Sequence, residues 1–199
     1  MLDDFTWGPA RNIISFTGGD LACQPEFYVE ASKEIKSLDR NLWVIFETNG
    51  YGLSPKNLDL FRDAKIESFW LDIKSYDDNF NRNLTGASNK WVLKLPAEIV
   101  ERCFVLEVSS VYIPSWVEID QIGEIAELLA QIDSKIPYAI VEFFPEYKLK
   151  HAPYPNFQQM ITSFEAAKDA GLKNVKLGNI GIFVKNMEEY KMLFKMGAI

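Results

Sequence analysis

The sequence is short of the residue types that metal and nucleophilic sites most often use. Among its 199 residues there are only two cysteines, Cys23 and Cys103, and one histidine, His151. The cysteines lie far apart and form no CxxC-type metal pair, and a structural disulfide between them is not expected. His151 lies in a proline-rich loop where no nucleophile stands out, so a Ser-His-Asp or Cys-His mechanism is disfavoured.

Long apolar runs and an excess of positive charge are also absent. No run approaches the roughly 20 apolar residues of a membrane-spanning helix, and the acidic start MLDDFTWGPARN does not resemble a signal peptide. Asp and Glu number 28 against 21 Lys and Arg, a net charge of -7. We therefore predict a cytoplasmic protein with neither a nucleic acid nor a membrane as its main partner.

What the sequence does have is a regular alternation of short apolar runs with amphipathic stretches, which predicts an α/β fold. Six parallel strands joined by right-handed helical crossovers favour an open or partial barrel over a closed eight-stranded one, and residues 1–199 are expected to form a single domain. Strands are predicted at 13–16, 42–46, 68–73, 103–111, 138–144 and 174–177. Helices are predicted at 25–38, 55–63, 89–102, 119–132, 157–170 and 186–195, the third capped by Asn89 and kinked at Pro96.

Polar residues follow these strands where each one ends. Because the carboxyl ends of parallel strands meet at one edge of a sheet, we expect one site there. Two glycines after a strand let backbone groups approach a small ligand, and carboxylates beside them accept hydrogen bonds from an amine or from hydroxyl groups. A zwitterion or polyol suits this set better than a polyphosphate does. The expected residues are Gly18, Gly19, Asp20, Glu47, Asp72, Lys74, the backbone after Val111, and residues 142–147.

Five motifs in a fixed order give the chain a family resemblance that covers about residues 13–181. They are FTGGD, ETNGYG, LDIKSYDD with NLTGAS, VYIPSW, and FFPEYKL with GLKNVKLGN. Together they resemble the radical S-adenosylmethionine superfamily, and within it the glycyl-radical activating enzymes related to the pyruvate formate-lyase activating enzyme. The resemblance implies a partial (β/α)6 barrel, S-adenosylmethionine and a four-iron four-sulfur (4Fe-4S) cluster.

The resemblance also assigns roles to residues of this sequence. The family's GGE turn, which holds the methionyl amine, matches Gly18, Gly19 and Asp20, and the (D/E)TNG strand matches Glu47 and Asn49. The family's D-x-K pair matches Asp72 and Lys74, and the backbone of Val111 would lie along the adenosine. The sequence departs from the family at Ser109, Ser115, Glu146 and Tyr147. The implied cofactor-binding set is Gly18, Gly19, Asp20, Glu47, Asn49, Asp72, Lys74 and Val111.

The family's CxxxCxxC motif, which ligates the 4Fe-4S cluster, is missing from this sequence. We expect the sequence to begin within the helix that follows the cluster loop, without the first strand, and this chain alone to be inactive. One explanation is an N-terminally truncated radical enzyme acting on a protein glycine or a small substrate. A second is a complete, non-catalytic S-adenosylmethionine-binding or partner protein on the same scaffold.

A reading of a different class uses Asp20, Glu47 and Asp72 as oxygen ligands for a divalent metal in a hydrolase or lyase. A separate expectation concerns association of two chains through the first predicted strand. Loss of a preceding strand would leave this strand at a sheet edge. Such an edge is open to pairing with a second chain, so we predict a homo-oligomer.

Overall fold

The computed structural model describes residues 12–18 and 23–199, and it has the α/β architecture that the sequence predicts. Six parallel strands form one open sheet in the order in which they occur along the chain. The strands are β1 (Ile13–Phe16), β2 (Trp43–Thr48), β3 (Ser68–Asp72), β4 (Val105–Tyr112), β5 (Tyr138–Glu142) and β6 (Val175–Gly178).

Helices connect the strands, and capping residues set several of their ends. Ser54 Oγ accepts a 3.2 Å hydrogen bond from Asn57 N at the start of α2, and Asn156 and Gln159 form a reciprocal capping box at the start of α6. The helices are α1 (Pro25–Leu38), α2 (Pro55–Asp63), α3 (Asp78–Thr85), α4 (Leu95–Glu101), α5 (Ile119–Ile132), α6 (Phe157–Asp169) and α7 (Met187–Met196).

The chain divides into two compact units, the first running through Ile73 and taking in Lys90–Glu107. Its core is aromatic and centres on Phe46 of β2, whose side chain is fully buried. The ring of Phe46 makes edge-to-face contacts with those of Tyr28, Phe61 and Phe69, at centroid distances of 5.5, 5.0 and 5.9 Å. These contacts cover one face of β2 and β3 with α1 and α2.

The second unit consists of Lys74–Asn89 and Val108–Ile199. Its core lies between the strands and helices α5 and α6, where Ile122, Ile125, Leu129 and Ile140 have no exposed surface. The periodicity of the first three of these residues is what predicts α5 from sequence. The β4–β5 register places Val111 beside Val141 and Tyr112 beside Glu142.

All six predicted strands are confirmed, with ends shifted by no more than about two residues. The predicted helix at 89–102 is wrong in its first part. A short 3-10 turn at Val92–Lys94 precedes α4, and Pro96 lies in the first turn of α4 and so causes no kink. Proline is tolerated there because the first amide of a helix has no intrahelical acceptor.

Asn89 does not cap a helix but anchors the loop that follows Lys74. Its Nδ2 donates hydrogen bonds of 2.8 and 2.7 Å to the carbonyl oxygens of Ser75 and Tyr76. Gln121 of α5 holds the same loop, because its Oε1 accepts hydrogen bonds from Ser75 Oγ and Asp77 N. The segment after Lys74, which is polar and aperiodic in sequence, is therefore held by several hydrogen bonds, and it contains helix α3.

Within residues 12–18 and 23–199, none of the helices has the length and apolar character needed to cross a lipid bilayer. The sheet order places β1 at one end of the sheet with β2 as its neighbour. Association of two chains through β1 stays a prediction.

Candidate functional site

In the first unit the predicted site residues lie where the strands end, on the face opposite α1 and α2. Side chains alternate along a strand, so Glu47 points away from the face that Phe46 packs. The hydrogen bond of 2.7 Å from Trp43 Nε1 to Ser68 Oγ shows that this second face continues from β2 to β3. Asp72 follows Ser68 and Trp70 at alternate positions and therefore lies on the same face. We call this the open face of the first unit.

Glu47 is tied to the first strand across the open face. Ser15 Oγ of β1 donates a 2.7 Å hydrogen bond to Oε1 of Glu47. Glu47 is half-buried, and the hydroxyl donor fixes the direction of its carboxylate. The carboxylate is thus a preoriented acceptor at the carboxyl end of β2.

Gly18, which follows β1, has the left-handed backbone that the glycine turn requires. Its φ is +76°, and a Cβ atom added there would meet no atom of the described residues within 4 Å. A left-handed backbone of this kind is the conformation that glycine adopts without steric cost. The other two residues of the predicted turn, Gly19 and Asp20, lie outside the described residues.

Asn49 stabilises the turn after β2. Its Oδ1 accepts a 2.8 Å hydrogen bond from Tyr51 N, while Thr48 Oγ1 accepts one of 3.0 Å from Gly50 N. These are local side-chain-to-backbone turns of the kind that Asn and Thr favour. They fix the path of the backbone beyond Glu47, so the TNG sequence forms an ordered turn next to the Glu47 carboxylate.

Lys74 and Val111 belong to the second unit. Lys74 is half-buried and directly precedes the loop that Asn89 and Gln121 hold. Val111 is half-buried at the carboxyl end of β4, on the opposite side of the strand from the buried Tyr112. Its side chain therefore lies on the face of β4 that points away from the α5 and α6 core.

Sequence reasoning missed one acidic residue, Glu107, and it expected a second, Glu142, among the site residues at the strand ends. Glu107, in the middle of β4, is partly buried, and this burial raises the pKa of its carboxyl group. An acid inside the apolar run VLEVSSVY is the signal that would have found it. Glu142 ends β5 as expected, but its side chain shares the helix-covered face with Tyr138 and Ile140 and is 1% exposed.

The cysteines do not fit the cluster that the resemblance implies. Cys23 follows the carboxyl end of β1, whereas Cys103 precedes the amino end of β4, which is the opposite edge of a parallel sheet. Both thiols are free and exposed. In the described part of the chain no group of three or more His, Cys, Asp or Glu side chains is placed to hold a metal ion.

An open sheet of six parallel strands joined by helices is the architecture of a partial (β/α) barrel. The sequence matches the family model of the Radical SAM superfamily over residues 7–129. The chain therefore belongs to the radical SAM superfamily.

A sequence relative agrees with this membership, and a solved crystal structure shares the fold. A Methanocaldococcus jannaschii protein, provisionally named a glycyl-radical enzyme activating enzyme, is 30% identical over 158 residues, which cover 77% of this chain. The match spans 58% of that protein's length. A crystal structure of a domain of the pyruvate-formate lyase-activating enzyme from Bacteroides vulgatus superposes with a TM-score of 0.68 at 20% identity, covering 83% of this chain and 98% of that one.

A more distant structure shares the fold alone. Streptococcus suis SuiB, solved with S-adenosylmethionine bound, superposes with a TM-score of 0.58 at 18% identity. The match covers 79% of this chain and 34% of SuiB. The partial barrel predicted from sequence is thus the fold of these radical SAM proteins.

Proposed function

We propose that this chain forms the S-adenosylmethionine-binding part of a radical SAM enzyme of the glycyl-radical activating type. Membership of the superfamily and the similarity to the M. jannaschii protein support the class. The observation that carries the proposal is the Glu47 carboxylate, held by Ser15 at the carboxyl end of β2 beside the left-handed Gly18.

Each residue is assigned to the part of S-adenosylmethionine that its chemistry suits. The turn at Gly18, continued by Gly19 and Asp20, offers carbonyl and carboxylate oxygens to the methionyl ammonium group. Glu47 accepts hydrogen bonds from the ribose hydroxyls, and Asn49 stabilises the turn beside Glu47. By resemblance to the family, Asp72 and Lys74 are assigned to polar groups of the ligand, with Lys74 on the carboxylate, and the Val111 backbone is assigned to the adenosine.

The 4Fe-4S cluster supplies the electron for reductive cleavage of S-adenosylmethionine where family members hold one. Neither Cys23 nor Cys103 is placed to ligate it, so no step through the cluster is assigned to this chain. What its own residues do is bind and orient the cofactor. In the activating type, the hydrogen donor is a glycine of a protein substrate, and a small-molecule substrate is the alternative.

Titration calorimetry with S-adenosylmethionine tests the binding. We expect one site per chain, with affinity reduced about tenfold in Glu47→Gln, because the amide loses the charge that strengthens hydrogen bonds to hydroxyl donors. The matched control is Glu34→Gln on the exposed surface of α1, which should bind like the unmodified protein. Absence of binding, or an equal loss of S-adenosylmethionine affinity in both variants, would contradict the proposal.

The activating-type assignment needs a separate experiment. The protein as it occurs in the cell, reconstituted with iron and sulfide, is mixed with S-adenosylmethionine, a reductant and candidate glycyl-radical enzymes. Electron paramagnetic resonance should detect a glycine-centred radical in one of them. If a radical forms only on a small molecule, the proposed cofactor binding still holds, but the assignment to the activating type is contradicted.

A further inference from the structure

Helix α7 presents a row of apolar side chains to solvent. Met187, Tyr190 and Phe194 are 64%, 43% and 70% exposed. Their spacing of three and four residues places all three on one face of the helix. Single exposed apolar residues are ordinary on a protein surface, but a contiguous row on one helix face indicates a contact surface. We call these three residues the apolar stripe of α7.

A different side of α7 packs against the second unit, so the fold sets the direction of the stripe. Leu193 is fully buried. At the start of the helix, Asn186 Oδ1 accepts hydrogen bonds of 3.0 and 2.9 Å from two backbone amides of the first turn. Just beyond its end, the carbonyl oxygen of Ala198 accepts a 2.8 Å hydrogen bond from Leu177 N of β6. The stripe is therefore an ordered surface, held at both ends of the helix.

Three exposed charged side chains run beside the stripe on one flank of α7. Glu188 lies in the first turn, and Lys191 and Lys195 follow at three and seven residues further along, which places all three on the same side of the helix. The two lysines are four residues apart, a spacing at which like charges repel. A partner helix that places a carboxylate between the two lysines would relieve this repulsion.

Two copies of α7 meet this requirement when they pack antiparallel. A two-fold axis through the middle of the stripe reverses the helix direction but keeps the charged flanks of both copies on the same side. Glu188 of one copy then faces the stretch between Lys191 and Lys195 of the other copy. In a parallel pair the two Glu188 side chains would face each other, and lysine would face lysine. The opposed helix dipoles also favour the antiparallel pair.

We propose that the apolar stripe of α7 is the contact surface of a homodimer, in which a second copy of this chain packs its own α7 antiparallel across it. Two aromatic rings and one methionine per chain, together with the aliphatic stems of the flanking lysines, bury on the order of 1,000 Å² in total. This area is at the low end for specific interfaces, so the dimer is reversible, with a dissociation constant of about 10–100 μM.

The stripe is separate from the β1 edge and from the proposed cofactor site. Helix α7 belongs to the second unit, whereas β1 belongs to the first. None of the residues assigned to S-adenosylmethionine lies on α7. Changes in the stripe should therefore alter association and leave cofactor binding as in the parent chain, so failure of the dimer and failure of the proposed function are distinguishable.

Sedimentation equilibrium of the intact chain at concentrations from about 1 to about 300 μM tests the association. We expect a monomer–dimer equilibrium that Phe194→Glu shifts to monomer, because a carboxylate from each copy would enter the apolar contact. Phe27→Glu is the matched control, since Phe27 is 59% exposed on α1 and its change should leave the equilibrium as it is. A monomer over the whole range, or a dimer that Phe194→Glu leaves intact, would overturn the proposal.

Charge reversal tests the antiparallel arrangement. Glu188→Lys and Lys195→Glu should each weaken the dimer about tenfold, because each change places like charges opposite one another. The two changes combined should restore the affinity to within about threefold of the parent chain, since opposite charges again face each other. Both positions are exposed, and thermal melting at low concentration checks the fold of each variant. A double variant that dimerises no better than the single variants would overturn the proposed pairing.

Discussion

Ser15 Oγ and Glu47 Oε1 are joined by a 2.7 Å hydrogen bond that links β1 to β2 across 32 residues of chain. The bond lies on the open face of the first unit, near the carboxyl ends of both strands. It turns a mobile glutamate side chain into an oriented acceptor, and preorganised acceptors bind with a smaller loss of entropy.

Removing the donor should therefore weaken ligand binding without harming the fold. We expect Ser15→Ala to lower S-adenosylmethionine affinity about three- to tenfold, because Glu47 must then be ordered by the ligand itself. Calorimetry gives the affinity and thermal melting the stability. Ser37→Ala, which removes an exposed hydroxyl on α1, is the control. Unchanged affinity in Ser15→Ala would show that this hydrogen bond has no role in binding.

Gly50 in the turn after β2 should tolerate no side chain. Its φ is +74°, and a Cβ atom would lie 2.5 Å from Leu95 Cδ1 and 2.9 Å from Leu71 Cδ1. Backbone strain and overpacking together should lower the free energy of unfolding of Gly50→Ala by about 3 kcal/mol.

Gly86→Ala separates these two causes. Gly86 has a similar φ of +81°, but its added Cβ would meet nothing within 4 Å. Strain alone should cost about 1 kcal/mol there. Urea denaturation of both variants measures the difference, and equal losses would contradict the crowding at Gly50.

Burial of Glu142 should make the protein less stable as pH rises through neutrality. Its pKa is raised from the ordinary 4.5 to about 7 in the folded chain. Between these values the folded state holds a proton that the unfolded state has lost, so the free energy of unfolding falls as pH increases. We expect a loss on the order of 1–2 kcal/mol between pH 4.5 and pH 8, after discounting for solvent screening.

Denaturation at several pH values, repeated with Glu142→Gln, measures this contribution. The variant cannot ionise at this position, so its stability should vary less with pH over the same range. Glu188→Gln should keep the pH dependence of the parent chain. Parallel curves for the parent and Glu142→Gln would exclude the shifted pKa.

The loop after Lys74 should depend on Asn89. Asn89→Ala leaves the carbonyl oxygens of Ser75 and Tyr76 without the donor shown in the structure, and should cost about 2–3 kcal/mol. Hydrogen exchange should speed up in the loop and in α3. Asn83→Ala, at an exposed position of α3, should change neither stability nor exchange appreciably. Equal exchange in the two variants would contradict the anchoring role.

Local sequence signals were enough for the strands and most helices. Runs such as WVIFET and the periodic face of α5 carry their own pattern, and Pro55 and Asn156 mark helix starts. The role of Asn89 was not predictable, because its partners are fixed by the packing of a loop and not by spacing. Glu142 is a second example: alternation along β5 indicates which face of the strand it lies on, but its burial and lack of a hydrogen-bond partner depend on tertiary packing. The Ser15 and Glu47 pairing likewise depends on strand register.

A crystal structure of this chain grown with S-adenosylmethionine tests the central claim most directly. The account predicts the cofactor at the carboxyl ends of the strands, with its ribose hydroxyls on Glu47 and its methionyl group beside the turn at Gly18. Density for the cofactor elsewhere on the molecule, or a crystal without cofactor at saturating concentration, would contradict it.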